Sequence, residues 1–238
     1  MATFVLVHGG GHGGWCYQPV ARRLQSAGHV VYAPTLSGLG DRAHQLHAGI
    51  DLDTHVTDVV ELLRFEDLRD VVLVGHSYGG MVITGVADRV GDRIGTLVYL
   101  DAAHPRNGQS LRDVAGAHMD LARGMGDVVD GIELVLLPGE GAAGFYGIED
   151  PEVAAWADER LTAHPWRCFE QELVLQDEEA VRAIRRVKIN CTESLEASGP
   201  TKRAVQTDGD VVLEIDTGHD LMLTEPDRVA EMLIASLP

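Results

Sequence analysis

The chain has 238 residues, 45% of them hydrophobic, which is enough for one α/β domain with a buried core. Its 37 acidic against 19 basic residues give a formal charge of −18, so neither nucleic acid nor an anionic membrane surface is expected as a partner. No apolar run is long enough to span a bilayer and the start lacks a signal-peptide pattern. The three cysteines, Cys16, Cys168 and Cys191, form no Cys-x-x-Cys pair, so a soluble cytoplasmic protein with buried free thiols is expected.

Thr3 to His8 is a short apolar run stopped by Gly9-Gly10-Gly11, as for a buried parallel strand entering a loop. A helix is predicted from Trp15 to about Ala27, with Gly28 as its stop, and Val30-Val31-Tyr32-Ala33 gives a second strand closed by Pro34. Thr54 or Asp53 is placed to cap a helix with Val56, Val59, Val60 and Leu63 at helical spacing, and Val71-Val72-Leu73-Val74 is the next strand. A further helix runs from Ser77 to about Val90, and the strand Thr96-Leu97-Val98-Tyr99-Leu100 ends at Asp101.

Between Pro105 and about Pro165 the pattern changes to Gly-rich turns and short helical pieces, predicted to form a small helical cap over the sheet's carboxyl edge. Strands resume at Val187 to Cys191 and Val211 to Ile215, with helices near Thr201 to Gln206 and Glu225 to Leu237. The alternation predicts a single domain, 1–238, with a mostly parallel sheet of about six strands flanked by helices; its core is 1–104 and 166–238, and the cap is about 105–165.

A serine hydroxyl needs a base to take its proton and a third group to orient that base. Gly75-His76-Ser77-Tyr78-Gly79 lies between an apolar strand and a helix, where the glycines allow a sharp turn that lifts Ser77 above the sheet edge as a nucleophile. Two backbone N–H groups are needed for the developing oxyanion: Tyr78, after the nucleophile, offers one, and Gly10, in the loop His8-Gly9-Gly10-Gly11, the other. His219 directly follows the last predicted strand, at the edge where ligands bind, and is the expected base among eleven histidines. His8 and His76 belong to the loop and elbow, and His44 and His47 make an isolated His-x-x-His without further ligands, so no metal site is expected.

Phe4-Val5-Leu6-Val7-His8-Gly9, His12-Gly13-Gly14-Trp15, Ala27-Gly28-His29, the elbow and Gly218-His219-Asp220 together resemble the plant methylesterase and hydroxynitrile lyase family, and bacterial carboxylesterases of the same type. The resemblance implies an α/β-hydrolase fold, a catalytic triad, a two-donor oxyanion hole and no cofactor. It breaks at the acid. In the plant enzymes the acid follows the strand corresponding to Val187 to Cys191, where this chain has Thr192-Glu193-Ser194-Leu195 and Ser194 takes the expected place. Asp101, at the end of the strand after the nucleophile helix, is positioned as in haloalkane dehalogenases of this fold and is the expected acid; Glu193, Asp216 and Asp220 remain alternatives. A plain capping role also suits Asp101.

Met119, Met125, Phe145, Tyr146, Trp156, Trp166 and Phe169 are candidates for an apolar pocket, and basic residues are too scattered for an anion clamp. The expected function is a serine carboxylesterase acting on a small, largely apolar or aromatic ester, with that small molecule as its partner and a homodimer left open. Alternatives are a cofactor-free lyase or dioxygenase, a polyketide-tailoring enzyme, or a ligand-binding receptor. The lyases place a lysine after the catalytic histidine, whereas Asp220 follows His219 here.

Overall fold

Strands that are apolar along their whole length are stable only when covered on both faces, and the centre of this chain's sheet, Thr3–Val7, Val71–His76 and Ile94–Leu100, is built from such runs. The computed structural model describes residues 1–196 and 199–237; Ala197, Ser198 and Pro238, which fall in the expected core range, lie outside the described residues. The main-sheet strands are β1 (Thr3–Val7), β2 (Val30–Tyr32), β3 (Val71–His76) and β4 (Ile94–Leu100), joined later by β8 (Arg185–Cys191) and β9 (Val211–Ile215). Their order is β2-β1-β3-β4-β8-β9, with every neighbouring pair parallel.

Because successive side chains point to opposite faces, the same strands feed two cores. Val5, Val7, Leu73, Leu97 and Tyr99 join the core under the helices Leu52–Phe65 and Gly79–Val90. Phe4, Leu6, Val74, Val98 and Ile189 join the opposite core, which the helices Gln18–Ser26 and Pro226–Ala235 complete.

The helix Leu52–Phe65 is capped by Asp51, not by Asp53 or Thr54 as expected. The Asp51 carboxylate accepts from the Thr54 N–H at 2.9 Å while the Thr54 hydroxyl closes a reciprocal capping box. The expected helical cap is of mixed structure. Alongside short helices such as Ala117–Gly124 and Pro151–Asp158 it holds an antiparallel sheet of β5 (Asp127–Val129), β6 (Ile132–Val135) and β7 (His164–Pro165). Among the described residues, no helix is long and apolar enough to cross a membrane.

Candidate active site

Ser77 follows β3 with φ at 52°, a left-handed conformation uncommon for a side chain with a Cβ. Neighbouring chain holds it there. The Ser77 carbonyl accepts from the N–H groups of Gly80 (3.1 Å) and Ala103 (3.0 Å), and its own N–H donates to the Leu100 carbonyl. The elbow also needs one of its own glycines and one of the facing loop for close approach. A Cβ on Gly79 would stand 2.6 Å from the Val7 carbonyl oxygen, and one on Gly9 would stand 2.9 Å from the Ser77 Cβ.

At the end of the next strand, Asp101 also has positive φ (43°), and its N–H donates to the Ile189 carbonyl at 2.7 Å. Its carboxylate is almost wholly buried and fully engaged. Oδ1 accepts from the Cys191 N–H at 3.1 Å, and Oδ2 accepts from His219 Nδ1 at 2.5 Å and from the Ser194 hydroxyl at 2.7 Å. Burial pushes the Asp101 carboxyl up, but these three donors and the nearby His219 outweigh it and hold the group below the ordinary carboxylate range. An ionised carboxylate only accepts, so the proton of His219 sits on Nδ1 and the lone pair is on Nε2.

Of the alternative acids, Asp220 points away to His12 (2.9 Å), Asp216 accepts from the Thr192 hydroxyl (3.0 Å), and Glu193 lines the cavity wall. Ser194, at the place expected of the aspartate, instead supports the aspartate that stands elsewhere.

Ser77, Asp101, His219, Gly10 and Tyr78 all face one cavity of about 570 Å³. Among the described residues, the backbone N–H groups of Gly10 and Tyr78 have no acceptor, as suits donors kept for a ligand. The loop carrying Gly10 is pinned by histidines. His8 Nδ1 donates to the Gly9 carbonyl at 2.9 Å, His12 Nδ1 to the Gly10 carbonyl at 2.7 Å, and the Gly11 N–H donates to His164 Nδ1 at 3.2 Å. His76 Nε2 donates to the His219 carbonyl at 2.9 Å, tying the loop of His219 to the elbow. Burial pushes both His8 and His76 down to about 3, so these two imidazoles are neutral supports.

Of the expected pocket side chains, Met119, Phe145, Tyr146 and Phe169 line the cavity. The others do not. Met125 is exposed on the surface, Trp156 packs edge-on against Trp15, and Trp166 is buried with its indole N–H on Glu170. All three cysteines are free and buried.

His55, His164 and Cys168 bring potential ligand atoms within 4.8 Å of one another, yet they make a packed polar cluster. Both ring nitrogens of His55 are engaged, by the Tyr78 hydroxyl and the Ser37 carbonyl, and burial pushes the Cys168 thiol far up, away from the thiolate a metal needs.

The chain matches the profile of the Alpha/beta hydrolase family over residues 4–232. It is 58% identical over 111 residues to a carbendazim hydrolyzing esterase of Nocardioides sp. (strain SG-4G), covering 47% of this chain and 46% of that protein. It is 34% identical over 125 residues to an alpha-hydroxynitrile lyase of Arabidopsis thaliana, covering 52% and 48%. With methyl jasmonate esterase 1 of Vitis vinifera it shares 30% identity over 209 residues, 79% of this chain and 77% of the relative. For the first of these relatives the matched stretch spans about half of their length or less.

Among solved structures, an extracellular alpha/beta-hydrolase from a Paenibacillus species superposes with a TM-score of 0.83 at 25% identity, covering 99% of both chains. The chain belongs to the alpha/beta hydrolase family, on the branch it shares with plant methylesterases, a hydroxynitrile lyase and a bacterial esterase.

Proposed function

We propose that the protein is a serine esterase cleaving a small, largely apolar or aromatic carboxylic ester through an acyl-enzyme. Ser77 Oγ attacks the ester carbonyl as His219 Nε2 takes its proton, and the Gly10 and Tyr78 N–H groups hold the tetrahedral oxyanion. His219 then protonates the departing alcohol. Water, deprotonated by the same imidazole, releases the acid and regenerates Ser77. Asp101 keeps His219 in the required tautomer and stabilises the imidazolium that forms.

The observation that carries this reading is the 2.5 Å contact between Asp101 and His219 beside a strained Ser77 on one cavity. Apolar walls from Leu111, Met119, Leu136 and Phe169 support an uncharged substrate. The esterase names of relatives support the reaction type. At the position where the resembling lyases carry lysine, Asp220 is fully buried and turned to His12, which disfavours lyase chemistry.

A fluorescent phosphonate ester is expected to label the wild-type protein covalently and to leave Ser77→Ala unlabelled. Absence of labelling in folded wild-type protein would overturn the reading.

A further inference from the structure

We propose that Asp220 and His12 form a second, buried aspartate–histidine pair that positions the oxyanion loop. The inference rests on the esterase reading above and adds a positioning device to it.

The loop to be held is Gly9-Gly10-Gly11, three residues without side chains and with wide conformational freedom. The Gly10 N–H belongs to the peptide whose carbonyl is that of Gly9, and His8 holds that carbonyl at 2.9 Å. The following peptide is held at both ends: its carbonyl, on Gly10, by His12 at 2.7 Å and its N–H, on Gly11, by His164 at 3.2 Å. The Tyr146 hydroxyl adds a longer bond to the same Gly10 carbonyl, at 3.3 Å. With the planes on both sides of Gly10 fixed, the direction of its N–H is fixed too.

His12 is held from behind by Asp220, 208 positions away in sequence, through an Nε2 to Oδ2 contact of 2.9 Å. A carbonyl oxygen and an ionised carboxylate only accept hydrogen bonds. His12 Nδ1 therefore donates to the Gly10 carbonyl, and the Asp220 carboxylate fixes the other side of the ring at Nε2. Burial pushes the Asp220 carboxyl up, but the neighbouring His12, hydrogen-bonded to it, outweighs this and holds the group below the ordinary carboxylate range.

Burial drives the imidazoles of His8, His76 and His164 down, and it drives the Cys16 thiol and the Tyr17 and Tyr146 hydroxyls up.

Stability does not account for this arrangement. A fully buried ion pair roughly breaks even with apolar packing of the same shape. Here, among the described residues, Asp220 Oδ1 also lacks a hydrogen bond, with His76 Nε2 no nearer than 3.9 Å. What the pair does supply is a link between two working loops. His219 and Asp220 are adjacent residues facing opposite ways, the first toward Asp101 and the cavity, the second toward the anchor of the oxyanion loop.

The test compares Asp220→Asn, which can still hydrogen-bond His12 without charge, with Asp220→Leu, which cannot. Active sites are counted by phosphonate labelling of Ser77. For p-nitrophenyl butyrate, kcat per labelled site is expected to fall about tenfold in Asp220→Asn and about 100-fold in Asp220→Leu, with KM within about twofold of wild type. Affinity for an alkyl trifluoromethyl ketone, which forms a tetrahedral oxyanion on Ser77, is expected to fall by the same factors. A merely structural role lowers the melting temperature and the number of labelled sites but leaves kcat per site and ketone affinity unchanged, and that result overturns the proposal.

Nitrogen NMR of the histidine rings gives a readout independent of turnover. A hydrogen-bonded proton on His12 Nδ1 is expected in the wild type, and faster solvent exchange of that proton in Asp220→Asn, which also serves if Asp220→Leu does not fold. A wild-type His12 Nδ1 without a hydrogen-bonded proton, or one whose exchange is the same in Asp220→Asn, overturns the pair. A folded wild-type protein that takes no label defeats the esterase reading instead, whereas a labelled protein indifferent to both substitutions defeats the pair alone.

Discussion

The carboxyl edge of the main sheet and the cap face each other across one cavity, but they are built in opposite ways. At the sheet edge, Ser77 and Asp101 stand on adjacent strand ends in left-handed conformations, and backbone hydrogen bonds from Leu100, Ala103 and Ile189 lock both. The cap is a chain of short pieces joined at Gly116, Gly131, Gly141 and Gly147, all with positive φ, and it leaves Leu121, Met125, Val128, Val129 and Phe145 exposed. Its hydrogen bonds to the sheet edge include the Thr162 N–H on the Gly11 carbonyl and the Asp220 N–H on the Tyr146 carbonyl. The arrangement round Ser77 and Asp101 is thus set mainly by the sheet edge, with His164 and Tyr146 of the cap bracing the Gly10 loop, while the exposed outer pieces of the cap shape the cavity wall.

The largest effect is expected on the sheet side. Asp101→Asn keeps the shape of the side chain but allows the wrong tautomer of His219, and kcat should fall by about 10³ to 10⁴ with the melting temperature little changed. A stopped assay with an aryl ester and a thermal melt decide it. A loss below about tenfold would show that Asp101 is a capping residue only, and the contrast between the two regions would lose its basis.

A smaller effect sharpens the comparison. Ser194 Oγ lies 2.7 Å from Asp101 Oδ2, so the place expected of the aspartate is within reach of the same histidine environment. Adding Ser194→Asp to Asp101→Asn is expected to restore kcat at least tenfold over the single variant, read in the same assay. No recovery would mean that only the strand end of β4, and not its neighbour after β8, can present a carboxylate to His219.

Lys188 on β8 tests whether the sheet edge carries unfavourable burial. Its Nζ is buried against His104 Nδ1 at 2.5 Å and the Val205 carbonyl, and His104 lines the cavity. Burial is the main cause lowering Lys188 from 10.5 to about 7; Arg186 and Arg182 also lower it, and Asp208 opposes them. Between those values the unfolded chain binds a proton that the folded chain does not, so this lysine costs stability as pH falls from about 10 to 7, with no further change below. Lys188→Met is expected to be more stable than wild type at pH 7, by roughly 2 to 4 kcal/mol, and nearly equal to it at pH 10, as read from urea midpoints. A difference independent of pH would show that packing, and not charge, sets the contribution of Lys188.

The sequence was most legible where burial is complete. The runs at Thr3, Val71 and Ile94 are apolar because both faces of the sheet are covered, and the elbow and Asp101 stand out because they interrupt such runs at their ends. Legibility fell where several residues offered the same chemistry: Asp51, Asp53 and Thr54 can all cap a helix, and only the fold shows that Asp51 does. In the cap, β5 is fully exposed and β7 has two residues, so neither produces an alternating pattern. The Asp130-Gly131 turn, with φ of 52° and 78°, was the readable sign of that hairpin. The contact of His12 with Asp220 and that of Ser194 with Asp101 join residues 208 and 93 positions apart, and no local pattern announces either.

The smallest expected effect belongs to the cap and is the direct test of its independence. Phe145 lines the cavity yet is 58% exposed, so its removal opens the wall without leaving a buried void. Phe145→Ala is therefore expected to raise KM for an aryl ester about two- to fivefold, keep kcat within about twofold, and change stability by about 0.5 kcal/mol or less. Steady-state kinetics on two esters differing in acyl bulk would show the KM effect growing with bulk if the ring contacts the acyl chain. A tenfold loss of kcat would instead mean that this part of the cap helps to place the reacting groups. The route would be through Tyr146, the next residue, whose carbonyl accepts from the Asp220 N–H and whose hydroxyl reaches the Gly10 carbonyl. The boundary between chemistry and substrate shape would then run inside the cap, between residues 145 and 146, and not along the rim of the sheet.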